Sequence, residues 1–395
     1  MNNILIKRLL LVFAFYYGIM SIHATNEMPI IAFWGVPEEM TSEYEFRLLS
    51  ECGFNVNLSP YNSLNAFVKA CRTANKYGVR VMGRCPEIKE SPFMAANTLK
   101  KEPGFYGYYF YDEPSMSDFS KLQKEIEIIK ETDKNHYFYI NLLPFYKEEW
   151  FVSAAKTRSY SHYLQAASAT PCQQISFDYY PILKSGLREN WYHNLEMVRR
   201  ECLRCGKPFW GFALSVPHAD YPQPTLGALR LQIYSNLAYG AQAIQYFTYW
   251  TPAETKNFKF HDAPISHQGK KTKTYSLVQK MNNELKKVSS LFYGAKISTV
   301  YHMGIVPEGT TQITRAPENL SSLRIVGNGG AVISLLEKDH HRYLVIVNKD
   351  YEDDMDVYIT TKNNIPRHIT KNLQEEPMKK SYSVAAGDLF LVRLR

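Results

Sequence analysis

Two carboxylates stand side by side in the run Gly107-Tyr108-Tyr109-Phe110-Tyr111-Asp112-Glu113-Pro114-Ser115. Adjacent acids repel when both ionise, so one is driven to keep its proton near neutrality. A protonated carboxyl beside an ionised one is the pairing that general acid–base chemistry uses. The residues before the pair are apolar and aromatic, types that fill a pleated, half-buried surface. Pro114 lacks an N–H and restricts the residue before it, so the strand is expected to stop there with Glu113 held extended. Ser115 and Asp118 have capping-box spacing. Phe119, Leu122, Ile126 and Ile129 then recur at helical spacing. Asp178-Tyr179-Tyr180-Pro181 repeats the pattern of an acid near a strand end followed by a proline, which makes Asp178 the candidate second carboxylate.

The elements that must position these acids form a rhythm. Short apolar strands are expected near 30–35, 54–58, 79–83, 107–112, 137–142, 174–179, 209–214 and 243–249. Amphipathic helices are expected near 42–52, 64–77, 191–205, 226–239 and 275–292. Gly53, Gly78, Gly206 and Gly240 stand where helices should stop. Eight strand–helix units in roughly 250 residues have the size of a (β/α)8 TIM barrel, whose chemistry sits at the carboxyl ends of the strands. A doubly wound sheet would usually open on a glycine-rich phosphate loop, and Trp34-Gly35-Val36-Pro37 is not one. Beyond Gly294 the texture turns to short strands and turns, including Asn328-Gly329-Gly330. The expected organisation is an export signal at 1–24, a barrel at 25–300, and a small antiparallel β-sandwich-like domain at 301–395.

Composition narrows the function. The chain has 395 residues, 45% hydrophobic and 14% aromatic, with 29 tyrosines, which suits large cores and surfaces that grip polyols. Lys7 and Arg8 precede an apolar run, Leu9 to Met20, too short to span a bilayer and ending at a small residue, Ala24. The expected product is exported, periplasmic or secreted, with no membrane span. The formal charge of +8 falls to +6 without Lys7 and Arg8, and the remaining basic residues are scattered. That speaks against nucleic acid. Six cysteines and eleven histidines show no metal-ligand spacing, and no cofactor loop is present, so neither metal nor cofactor is expected. Cys202-Leu203-Arg204-Cys205 lacks the strand-then-helix setting of a redox site; buried thiols or an incidental disulfide are expected.

On a shared barrel rim, Trp34, Asn57, Tyr111, Asn141, Tyr179, His218, Tyr249 and Trp250 would surround Asp112, Glu113 and Asp178. Rings stack on the apolar faces of sugars, while amides and acids bind hydroxyls. A carbohydrate substrate and cleavage of its glycosidic bonds follow, with Glu113 as general acid and Asp112 and Asp178 as partners.

The turn at Asp112-Glu113-Pro114 resembles the short acid–base turn at the end of strand 4 in clan A glycoside hydrolases, including the family 42 β-galactosidases. That resemblance, over roughly 29–300, implies Glu113 as acid/base. Two departures stand out. Asp112 replaces the usual asparagine, and Ala213-Leu214-Ser215-Val216-Pro217-His218 has no glutamate where that clan keeps its nucleophile. The Asp-Glu pair is also similar to that of substrate-assisted hexosaminidases of families 20 and 123, which implies an aspartate that orients a 2-acetamido group. Inversion with Asp178 as base is a third route. The competing reading is a non-catalytic carbohydrate-binding barrel that has lost its second carboxylate.

Overall fold

The computed structural model describes residues 27–188 and 190–395. The expected export signal, 1–24, lies outside the described residues. Eight parallel strands close into a barrel: β1 (Ile30–Phe33), β2 (Val56–Pro60), β3 (Arg80–Arg84), β4 (Phe105–Asp112), β5 (Tyr137–Leu142), β6 (Ile175–Phe177), β7 (Phe209–Leu214) and β8 (Ala243–Phe247). Each pairs with its neighbours in the chain, and β1 closes on β8. Most of their residues are buried, as expected of a parallel sheet covered on both faces.

The barrel interior is filled by rings and branched chains. Trp210 is central there, with ring centroids 5.1 Å from Tyr137, 5.9 Å from Tyr139 and 6.4 Å from Tyr106. The outer layer packs the strands against α1 (Glu43–Glu51), α2 (Leu64–Asn75), α3 (Pro92–Leu99), α4 (Phe119–Thr132), α5 (Glu148–Ala155), α6 (Tyr160–Ala169), α7 (Trp191–Cys205), α8 (Leu226–Ala238) and α9 (Lys273–Phe292). Ser42, Ser63, Ser159, Thr225 and Thr272 each accept a backbone N–H at a helix start, satisfying donors the helix cannot. No helix among the described residues is long and apolar enough to cross a membrane. All six cysteines are unpaired, and Cys52, Cys71, Cys85 and Cys172 are buried.

The sequence reading contains neither α5 nor α6, which are inserted between β5 and β6. The C-terminal sheets begin at β9 (Lys296–Met303) and continue through β10 (Leu320–Val326), β11 (Ala331–Lys338), β12 (His341–Asn348), β13 (Met355–Thr361), β14 (Arg367–Ile369), β15 (Glu375–Pro377), β16 (Ser381–Val384) and β17 (Leu389–Arg393). They form an antiparallel sheet ordered β9-β11-β12-β17-β14-β15 and a second of β10-β13-β16. β10 is largely exposed and its apolar residues are interrupted by Ser321, Ser322 and Arg324, and β14 and β15 have three residues each, so no apolar run marks them.

The sheets and the barrel share one apolar layer, which joins Val332, Val345 and Leu391 to Leu229 and Ile233. At this joint a Cβ on Gly227 would fall 2.2 Å from the Tyr351 carbonyl, so only glycine lets α8 approach that closely. An ionic cluster closes the seam. Arg230 grips Glu284 with two bonds of 2.8 and 2.7 Å. Lys371 reaches Glu284 at 3.0 Å and Asp388 at 2.6 Å. Burial pushes the Glu284 carboxyl up, but hydrogen bonds and charge from Arg230 and Lys371 outweigh it and hold the group below its ordinary 4.5. A depressed carboxylate contributes stability above its unfolded value and loses it as pH falls through the folded one. Glu284→Gln should therefore lose about 2 kcal/mol in urea unfolding at pH 7, and the difference from the parent should shrink as pH falls below 4.5. An unchanged midpoint at pH 7 would show the cluster to be inert.

Candidate active site

At the end of β4 the ladder with β5 slips. Tyr109 pairs with Tyr139, Tyr111 with Ile140 and Asp112 with Asn141, leaving Phe110 as the extra residue. Tyr139 and Asn141, two apart, share the inward face of β5. The bulge brings Tyr109 and Asp112, three apart, onto that same face, which an unbroken strand would not do.

Glu113 departs from the extended geometry expected before Pro114: its φ is 53°. Its N–H donates to the Asn141 carbonyl at 2.8 Å, which finishes the ladder and forces the chain to turn there. A non-glycine residue held in the left-handed region carries strain of order 1–3 kcal/mol. The surroundings hold it. Tyr163, on α6, donates to the Pro114 carbonyl at 2.7 Å. Ser115 and Asp118 form the expected capping box, Ser115 N–H donating to Asp118 at 2.8 Å. The inserted α6 thus braces the acid-bearing turn.

Asn141 ties the acids together. Its amide nitrogen donates to Asp112 at 3.2 Å and to Asp178 at 2.9 Å. Its carbonyl accepts from Ser176 Oγ at 3.0 Å, so the amide has one orientation. Ser176 Oγ in turn accepts from Gln245 Nε2 at 2.8 Å, and Tyr139 donates to Gln245 Oε1 at 2.8 Å. All four of these residues are at most 2% exposed. The chain of bonds crosses the interior from β8 to β4.

Asp112 and Glu113 are exposed at the strand end, yet enough protein surrounds their carboxyls for burial to be the largest cause acting on both. Burial, and then the Asp112 charge, push Glu113 up to about 7. Burial also raises Asp112, while Asn141, Arg84 and the Tyr109 hydroxyl pull it back. Asp178 is raised by burial, then by Glu113 and Asp112, and is pulled down by bonds from Asn141 and Tyr180. Among the described residues no donor reaches the Glu113 carboxyl, and Glu113 and Asp178, each raised by burial and by charge in the cup, compete for one proton.

The structure brings some of the expected residues to this mouth and withdraws others. Asn141 is central. Tyr111 is exposed at the strand end. His218 is enclosed by Phe260 at 4.7 Å and Tyr221 at 4.8 Å, its Nδ1 3.0 Å from the Val216 carbonyl; burial lowers its pKa and keeps it neutral. Trp34 and Trp250 line one groove of about 540 Å³ with Glu38, Asn62 and His267. Three expectations need correction. Asn57 is fully buried and accepts the Val36 N–H at 2.7 Å, so it holds the β1–α1 turn and cannot reach a sugar. Tyr179 is 2% exposed, its ring packed on Tyr146 at 4.8 Å. Tyr249 is wholly buried against Phe54 at 5.4 Å, between barrel and helices. The aromatic wall belongs instead to Tyr180, Tyr221 and Phe247, with Tyr180 5.8 Å from Tyr221 and 5.5 Å from Phe247.

Ser176 and Gln245 went unread as site residues. Each is a lone polar residue inside an apolar strand, and that was the available signal. At the end of β7, Ser215 is buried and donates to the Thr248 carbonyl at 2.7 Å; no acid stands there. Among the described residues no cluster of His, Cys, Asp or Glu has the arrangement of a metal site.

The family described as beta-galactosidase, glycoside hydrolase family 42, matches residues 95–288. No curated protein sequence matches the chain. Among solved structures, the β-galactosidase of Bacillus circulans sp. alkalophilus is similar with a TM-score of 0.63 and 10% identity, over 94% of this chain and 100% of that one. A catalytic mutant of a family 42 β-galactosidase from G. stearothermophilus is similar with a TM-score of 0.57 and 9% identity, over 94% and 98%. A β-galactosidase from the Antarctic haloarchaeon Halorubrum lacusprofundi gives a TM-score of 0.49 and 12% identity over 65% of this chain, which spans 58% of its length. The first two likenesses show the fold. With the family match, they make this chain a distant, clan A glycoside hydrolase-like barrel.

Proposed function

We propose that the protein is an exported glycosidase that cleaves O-glycosidic bonds of oligo- or polysaccharides, with Glu113 as general acid. The observation that carries this reading is the three-acid cup at the barrel mouth. Asn141 donates to two of its acids, and burial with the Asp112 charge raises the third, Glu113, to about 7. A carboxyl poised near 7 can protonate a leaving oxygen and recover its proton afterwards. Asp178 is the second carboxylate, facing the sugar carbon or its attacking water. Asp112 holds a negative charge beside Glu113, and its place is suited to steering a 2-substituent. Tyr111, Trp34 and Trp250 supply apolar faces for sugar rings, and His218 supplies a neutral polar edge.

A second reading has its own observation. The missing acid after β7 favours a barrel that binds glycans without cleaving them. Glu113→Gln separates the two. A glycosidase should lose roughly 10²–10⁴-fold in kcat and keep its glycan affinity. A parent that binds glycans but turns none over establishes the binding protein. For the enzyme, kcat/KM should fall as pH rises through about 7, because Glu113 must be protonated to act. It should also fall on the acid side, above the ordinary aspartate range, because Asp112 and Asp178 must be ionised and both are raised.

The protonation assignment has a test free of turnover. In carboxyl ¹³C NMR titrations Glu113 should titrate near 7. In Asp112→Asn its midpoint should drop toward 4.5 without reaching it, because burial is the larger cause and remains. An unmoved midpoint would remove Asp112 from the account.

A further inference from the structure

A cleft of about 490 Å³ opens between the barrel and the C-terminal sheets, lined by Leu187, Arg188, Tyr192, Ile305 and Lys349 among others. Domain boundaries are a common place for ligand sites, and this volume is in their range. Lys349 follows β12 and is 5% exposed. Its ammonium donates to the Ile305 carbonyl and lies 5.9 Å from the Tyr192 ring centroid. No carboxylate among the described residues comes within ion-pair distance. Its neighbour Asp350 spends Oδ1 on the N–H groups of Glu352 and Asp353, at 2.9 and 3.0 Å. Glu308, the other acid on the lining, is exposed to solvent. A buried ammonium with so little compensation favours an incoming anion, and burial lowers its pKa to about 8.

Arg188 stands on the same lining. Its guanidinium lies 4.3 Å from the Tyr146 ring centroid and donates to the Tyr221 hydroxyl at 3.2 Å, again with no carboxylate partner among the described residues. Those contacts tie the cleft to the barrel mouth. Tyr221 meets Tyr180 at 5.8 Å, and Tyr180 hydrogen-bonds Asp178. A glycan leaving the mouth past Tyr180 and Tyr221 therefore arrives at Arg188. Leu187 and the 63%-exposed Ile305 offer apolar surface for a sugar ring.

We propose that this cleft binds an acidic saccharide unit, its carboxylate or sulfate held by Arg188 and Lys349. That the occupant is a saccharide rests on the glycosidase reading; that it is an anion does not. The test is calorimetric titration of the folded chain with methyl glucuronide, a 6-sulfated methyl glucoside, neutral methyl glucoside and inorganic sulfate. The parent, Lys349→Met and Arg188→Gln are compared. Both charged glycosides should bind about tenfold or more tighter than the neutral one, and either substitution should remove about that factor, as expected for a charge-assisted contact. The ranking of carboxylate against sulfate identifies the anion. Lys349→Met removes a buried charge and should melt no lower than the parent; should it fail to fold, Arg188→Gln reads the same prediction. Equal affinity for charged and neutral glycosides, or affinity unchanged in both variants, overturns the proposal. Inorganic sulfate binding as tightly as the sulfated glycoside overturns the saccharide and leaves an anion site. Turnover is not read, so a barrel inactive on every glycan leaves these outcomes intact.

Discussion

The Asn141 amide is the constraint on which the barrel mouth depends. It places Asp112 and Asp178 oxygens no farther apart than its two bonds together, about 6 Å. Two bare anions at that distance repel by about 3 kcal/mol at an effective dielectric of 20, and by less where water reaches them. A hydrogen bond to a charged group contributes about 1.5–3 kcal/mol. The two N–H groups, together about 3–6 kcal/mol, therefore offset the repulsion between the aspartates. A third anion at Glu113 meets no donor, and burial together with the Asp112 charge raises that carboxyl to about 7. The raised Glu113 carboxyl thus follows from burial first and from the neighbouring Asp112 charge second.

That amide works only if it cannot flip. A reversed Asn141 would turn its carbonyl toward two carboxylates and its nitrogen toward Ser176. The Ser176 hydroxyl accepts from Gln245, and its one proton has two acceptors at 3.0 Å, the Asn141 carbonyl and the Tyr139 hydroxyl. Buried, satisfied networks of this kind are rigid, because every member is already engaged by its neighbours. Strands β5, β6 and β8 are held in one register by the same bonds that orient the site. The inserted α6 adds the last restraint, through Tyr163, at the turn where Glu113 is strained.

The barrel was legible because its strands are buried on both faces and read as apolar runs between glycine-stopped helices. The pair Asp112-Glu113 was legible because charge at the end of such a run has no packing reason to be there. Side-chain direction at strand ends was not legible. β8 stops at Phe247, two residues short of the expected end, and Tyr249 then turns under the helices. The extra residue Phe110 is set by how β4 meets β5, a pairing no local pattern reveals. Tyr179 looked like a platform because it follows Asp178, yet the chain turns its ring to Tyr146 and gives the wall to Tyr180. Ser176 and Gln245 read as interruptions of apolar strands until the closed ring set them at one height.

The end of β7 bears on mechanism through what fills it. In the clan this barrel resembles, a glutamate there faces the acid across the mouth. Here Ser215 is used up on the Thr248 carbonyl, and Val216 belongs to the interior apolar cluster. Negative charge is gathered instead on the arc from β4 to β6, with Asn141 on β5 between. A cationic sugar carbon forming over that arc would meet fixed anions already oriented by the barrel, the condition under which electrostatic stabilisation is largest. Asn141 holds each of those anions by Oδ1 alone, which leaves Oδ2 clear of that bond. On the proposed glycosidase reading, the orienting bonds therefore stay in place whether the attacking group is water, a substituent of the sugar or an aspartate Oδ2.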